Sequence, residues 1–264
     1  MKLACQEGLA VGNNLQEKLD NLAKAGYVGI EFGGNGLENR KEEILKLTES
    51  HTVKPSTICS GFRGCPLDAD KDERGKASED IHSLLRLAGD MGMAGLIMVP
   101  IFGGPRIPDL SPLKSSFQLE MDLLYKLFDD WGRTAEKAGV FLLLEPLNRY
   151  ETHLIRTLQD GVNVCQQVGN PSIRIMADFF HMSIEESDIP EAIRKAGSYI
   201  AHVHLADSNR LLPGMGHTNF QSGFQALREI NYEGYMALEC GNPDLEKQAA
   251  LTRSAQFMRE QIGI

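Results

Sequence analysis

Residues 141–178 read FLLLEPLNRYETHLIRTLQDGVNVCQQVGNPSIRIMAD. A short apolar run, FLLLE, gives way to polar residues, then to a helical stretch, TLQDGVNVCQQVG, and then to a second short run, SIRIMAD. This is the pattern of two parallel strands joined through a helix. The first run also poses a chemical question. A carboxylate at the edge of a core is costly unless a positive partner meets it, and Glu145 stands at that edge.

The same rhythm extends in both directions. Upstream, strands are expected at KLAC (2–5), VGIEF (28–32), KPSTIC (54–59) and GLIMVP (95–100). Helical stretches separate them: one ending at Gly26, one near ENRKEEILKLTES, one through EDIHSLLRLAGDMG and a long one over residues 115–138. Downstream, helices are expected around IPEAIRKAG, FQSGFQALREI and residues 243–261, and strands at YIAHVHLAD and GYMALE. That makes eight strand–helix units of about 33 residues each, since 264 divided by eight is 33. Alternation of this kind implies a parallel sheet, and eight units without a break in composition imply one α/β domain over residues 1–264, a (β/α)8 TIM barrel. No GxGxxG follows the first strand, which disfavours an open dinucleotide-binding sheet.

Composition narrows the function. The chain is 42% hydrophobic and 24% charged, with a formal charge of −9 and no basic cluster. A nucleic-acid partner needs a Lys/Arg footprint that is missing here. No run approaches the roughly 18 apolar residues of a membrane span, so no membrane role is expected. Cys5, Cys59, Cys65, Cys165 and Cys240 are odd in number and scattered, as reduced thiols of a cytoplasmic protein would be. A core of this size needs no structural metal, so any metal site is expected to be functional.

Active sites of such barrels lie at the C-terminal ends of the strands. In the second half those positions carry Glu145, Asp178, His204 and Glu239, separated by 33, 26 and 35 residues. Three carboxylates and one imidazole form an oxygen-rich ligand set suited to Mn²⁺ foremost, with Mg²⁺ or Co²⁺ as alternatives. Such an ion would supply the partner Glu145 lacks. The competing reading of each acidic residue is a cap of the helix that follows it.

EPLNRYE, ADFFHM, HVHLADSNRLLPGMGH and YMALE resemble the signatures of the xylose-isomerase-like TIM-barrel superfamily, nearest the tagatose, psicose and ribulose 3-epimerases. The likeness is specific from about residue 141 to residue 240. It implies one divalent metal on Glu145, Asp178, His204 and Glu239, with the two glutamates exchanging the substrate proton. It also implies that Glu151, His181 and Arg210 contact a small sugar substrate, that no organic cofactor takes part, and that the chain forms a homo-oligomer. In the stretch after PGMGH relatives carry an aspartate where this chain has Asn219, which keeps the hydrogen-bonding shape and loses the charge.

The chemistry fits these residue types. A metal stabilises the enediolate formed next to a ketone, and epimerisation needs an acid and a base on its two faces. A hydroxypyruvate-isomerase-type aldose–ketose isomerase or an inosose-type dehydratase would use the same start. A zinc nuclease of the superfamily would need histidines where this chain has Cys59 and Pro100. A non-catalytic sugar-binding module would not need two opposed glutamates. His202 is expected to be a core histidine. Phe62, Arg63 and Arg106 are candidates to cover the pocket, the two arginines to meet a phosphate if the substrate carries one; the competing reading of each arginine is a solvated loop residue. Glu31 ends strand two facing the same opening, but far from the metal set in strand order.

Overall fold

The structure is a computed structural model and describes residues 1–263. Eight parallel strands form a closed barrel: β1 (Lys2–Gln6), β2 (Gly29–Gly33), β3 (Lys54–Cys59), β4 (Gly95–Met98), β5 (Phe141–Leu144), β6 (Ile173–Asp178), β7 (Ile200–Leu205) and β8 (Tyr235–Leu238). Each strand pairs with the next, and β1 closes on β8 in the register Lys2 with Tyr235 through Cys5 with Leu238. The expected (β/α)8 barrel is therefore present, with strand bounds close to the apolar runs.

The helices are α1 (Leu15–Ala25), α2 (Lys41–Thr48), α3 (Lys71–Asp90), α4 (Ser116–Ala138), α5 (Leu158–Val168), α6 (Phe179–Glu185), α7 (Ile189–Ala196), α8 (Phe220–Glu229) and α9 (Lys247–Ile262). Local chemistry sets their ends. Ser115 with Gln118, and Thr157 with Asp160, form reciprocal capping boxes at the starts of α4 and α5. Gly26 and Gly139 take left-handed conformations just past α1 and α4, where an L side chain would be strained. The β6–β7 connection holds two helices where one was expected. α6 spans seven residues, too short to show a helical period in the sequence. No described helix is long and apolar enough to cross a membrane.

Strand alternation divides the core. Leu142 and Leu144 join the large cluster between sheet and helices, which includes Trp131, Phe128, Phe179 and Phe224. Leu143 packs with Ile97 and Met176 in a separate small cluster. Because side chains alternate along a strand, the parity that turns Leu143 and Met176 into the barrel also turns Glu145, Asp178, His202 and His204 inward. The apolar plug thus lies beneath a polar layer at the C-terminal mouth.

Candidate metal centre and active site

Glu145, Asp178, His204 and Glu239 come from the ends of four consecutive strands, β5 to β8. Each presents one ligand atom, and these four atoms all lie within 4.8 Å of one another. The set is deeply placed: Glu145 is 6% exposed, Asp178 1% and His204 0%. Among the described residues no hydrogen-bond donor reaches the Glu145 carboxylate. The nearest basic nitrogens are His181 Nε2 at 3.8 Å and His204 Nδ1 at 3.9 Å. Burial, then the nearby charge of Glu239, push the Glu145 carboxyl well above the usual carboxylate range.

Glu239 behaves in the opposite way. Burial opposes its ionisation, but His204 and Arg210 outweigh burial and bring it down to about 2. Arg210 donates to Asp178 Oδ2 at 3.2 Å and to Glu239 Oε2 at 2.5 Å, and its guanidinium lies over the Phe180 ring at 4.7 Å.

Two observations test the fit to a cation. His204 Nδ1 is fully buried and has no hydrogen-bond partner, although Glu239 Oε2 lies 3.3 Å away. That nitrogen and the unsupported oxygens of Glu145 face the same space. An imidazole nitrogen and three carboxylates converging there suit a hard or borderline divalent ion. The residues fit the group.

Asp178 caps the helix that follows it and also turns one oxygen toward the cluster. Its Oδ1 accepts from Phe180 N at 2.7 Å and caps α6, while Oδ2 faces the cluster. The first residues of α6 also bring in His181, 2% exposed. Its Nδ1 accepts from the backbone N–H of Asn148 at 3.1 Å, so in the neutral ring the proton sits on Nε2. Nε2 lies 3.1 Å from Arg210 Nη1, which can only donate. Two donors thus point at one spot and call for an oxygen acceptor between them. Glu151 lies at the rim, 41% exposed at its side chain, with Oε1 accepting from Asn148 Nδ2 at 2.8 Å.

Arg210 itself rests on a tight turn. Its φ is 60°, its N–H donates to Asp207 O, and its own carbonyl accepts from Gly241 N. Buried Asp207 anchors the loop by accepting from the backbone N–H groups of Ser208, Gly214 and Thr218. A Cβ on Gly216 would meet Asp207 Oδ1 at 2.4 Å, so the loop closes around this carboxylate only with glycine there. Asn219 caps α8, accepting from Ser222 N at 3.1 Å.

Glu31 departs from the sequence expectation. Although remote in strand order, it reaches across the barrel to His204 Nε2 at 3.0 Å. It also accepts from His202 Nε2 at 2.9 Å, Thr57 Oγ1 at 2.5 Å and Gln6 Nε2 at 3.0 Å. His202 is fully buried, as a core histidine should be, but it serves Glu31. Strand order misled because residues across a closed eight-stranded barrel meet over its narrow interior. Glu31, Cys59 and His204 also lie close enough to hold an ion. However, burial and then the Glu31 charge push the Cys59 thiol up, which disfavours the thiolate a metal needs.

Arg63 and Arg106 are committed elsewhere. Arg63 pairs bidentately with Asp80 at 2.8 Å, and Arg106 with Asp68 at 2.8 Å. Asn148, Asp207 and Gln6 were absent from the sequence reading. Asn148 lies within the EPLNRYE stretch, Asp207 three residues past His204, and Gln6 at the end of β1.

The chain matches the xylose isomerase-like TIM barrel family over residues 19–261. It is 31% identical over 243 residues to 3-dehydro-D-guloside 4-epimerase of Escherichia coli K12, covering 90% of this chain and 92% of that protein. It is 30% identical over 255 residues to L-ribulose 3-epimerase of Mesorhizobium japonicum, covering 92% and 82%. The solved apo structure of 3-keto-D-glucoside 4-epimerase from E. coli has a TM-score of 0.90 and 27% identity, over 98% of this chain and 99% of that one. By its sequence and its closed barrel, this chain belongs to the xylose isomerase-like TIM barrel family.

Proposed function

We propose that this protein is a divalent-metal-dependent epimerase that inverts the carbon next to the ketone of a sugar. It is an enzyme of the isomerase class, in keeping with its epimerase relatives. The observation that carries the metal-dependent reading is the buried Glu145 carboxylate, without a hydrogen-bond donor, beside the unpartnered Nδ1 of His204.

Glu145, Asp178, His204 and Glu239 would hold the ion, with Mn²⁺ the first candidate and Mg²⁺ or Co²⁺ next. When bound, it supplies Lewis-acid stabilisation of the negative charge that develops on the carbonyl oxygen. The rest of the work belongs to the side chains. Glu145 and Glu239 project from β5 and β8 and exchange the proton of the carbon next to the ketone, one as base and the other as acid. Which of them acts as base follows from the configuration of the substrate. His181 Nε2–H and the Arg210 guanidinium donate to a substrate oxygen, the acceptor that their mutual approach calls for. Glu151 reaches His181 through Asn148 and holds the rim of the same pocket.

The 4-epimerase relative acts, by its name, at carbon 4 of a 3-keto sugar, which makes such sugars the first substrate class. The L-ribulose 3-epimerase relative supports free ketoses, inverted at carbon 3, as the second. Both reactions remove a proton next to a ketone, so one site chemistry serves either.

Incubation in deuterated water with a panel of 3-keto glycosides and free ketoses tests the reading. Deuterium should enter one carbon adjacent to the ketone, with inversion there, and Glu239→Gln should abolish the exchange. Loss of water would identify a dehydratase and a shifted carbonyl an isomerase. Undiminished exchange in the variant would remove Glu239 from the proton transfer.

A further inference from the structure

Glu31 is 1% exposed, and both of its oxygens are engaged by donors. Oε1 meets His204 Nε2 and Gln6 Nε2, each at 3.0 Å. Oε2 meets Thr57 Oγ1 at 2.5 Å and His202 Nε2 at 2.9 Å, and lies 3.2 Å from His204 Nε2. A buried carboxylate surrounded in this way is an acceptor only, so the His204 nitrogen facing it carries the proton. The other ring nitrogen, Nδ1, then offers its lone pair toward Glu145 and Glu239. Gln6 continues the same arrangement, because its Nε2 also donates to Glu239 Oε1 at 3.1 Å. One carboxylate on β2 thereby governs the imidazole and, through Gln6, one oxygen of the β8 glutamate.

We propose that Glu31 is a positioning residue. It fixes the Nε2–H tautomer and the ring orientation of His204 so that Nδ1 is the ligand atom, and with Gln6 it holds Glu239 in register with that atom. Thr57 and His202 fill the remaining acceptor positions of Glu31 and keep it from turning away. A carboxylate behind a ligating imidazole is a general means of raising ligand basicity. This inference rests on the metal-centre reading above.

The test compares wild-type protein with Glu31→Gln. Removing the charge and placing an amide N–H among donors should weaken Mn²⁺ binding, followed by electron paramagnetic resonance, by about 10–100-fold. The circular-dichroism spectrum should remain that of the wild type. Ile193→Val, a change in the outer core on α7, controls for a loss of stability alone and should leave the affinity unchanged. Nitrogen-15 NMR of Zn²⁺-loaded wild-type protein should find His204 protonated at Nε2, and this measurement holds even if Glu31→Gln fails to fold. Equal Mn²⁺ affinity in wild type and Glu31→Gln, equal weakening in Ile193→Val, or a proton on Nδ1 would overturn the inference. Wild-type protein that binds no Mn²⁺ would instead remove the metal centre itself, and the inference with it.

Discussion

Glu145 and Glu239 share one cluster, yet their surroundings drive their proton affinities apart. Burial raises the first, while His204 and Arg210 overcome burial at the second. Arg210 owes its place to Asp207, whose ionisation is opposed by burial but favoured more strongly by the N–H groups of Thr218, Ser208, Gly216 and Gly214. The folded pKa of Asp207 therefore lies below its unfolded value. Its contribution is present in full above the ordinary aspartate range near pH 4 and is lost as the pH falls through the depressed folded value. Asp207→Asn should lower stability at neutral pH by about 1–3 kcal/mol, because buried N–H groups lose a charged acceptor. In urea titrations the gap between wild type and variant should stay constant from pH 8 to pH 5 and then shrink on further acidification. A gap that widens in acid would contradict this assignment.

Among the elements, α6 and α8 show how the helices that follow the strands carry the site. α6 begins on Asp178, so a single residue ends β6, caps the helix and presents an oxygen to the cluster, while His181 follows one turn later. α8 begins on Asn219, whose side chain does the capping that an aspartate does equally well. Asparagine here thus serves the structural role that an aspartate would serve. Asn219→Asp should leave thermal stability within about 0.5 kcal/mol of wild type, whereas Asn219→Ala should cost about 1 kcal/mol. Thermal melts of the two variants check this, and an equal loss in both would show that the cap is not the reason for the residue. The loop arginines were less legible. Arg63 and Arg106 look free in the sequence because their partners, Asp80 and Asp68, lie 17 and 38 residues away.

For the whole molecule, the barrel was legible because its strands are short apolar runs with helical stretches between them, a local signal repeated eight times. The four strand-end groups were legible for a related reason. One residue per unit at constant parity can be located without knowing any contact, as with Glu145 after FLLL and Glu239 after YMAL. Glu31 was seen to face the mouth, but its bond to His204 spans 173 residues and follows only from barrel closure. Gln6 was missed for the same reason, since it bridges Glu31 and Glu239 across the β1–β8 seam. α6 was missed because seven residues do not display a period. The account depends most on one divalent ion at the centre of Glu145, Asp178, His204 and Glu239. Anomalous diffraction from crystals grown with Mn²⁺, recorded at the manganese edge, tests it most directly. The account predicts a single strong peak per chain, bonded to those four side chains and to His204 through Nδ1. No peak there, or a peak coordinated by other residues, would contradict it.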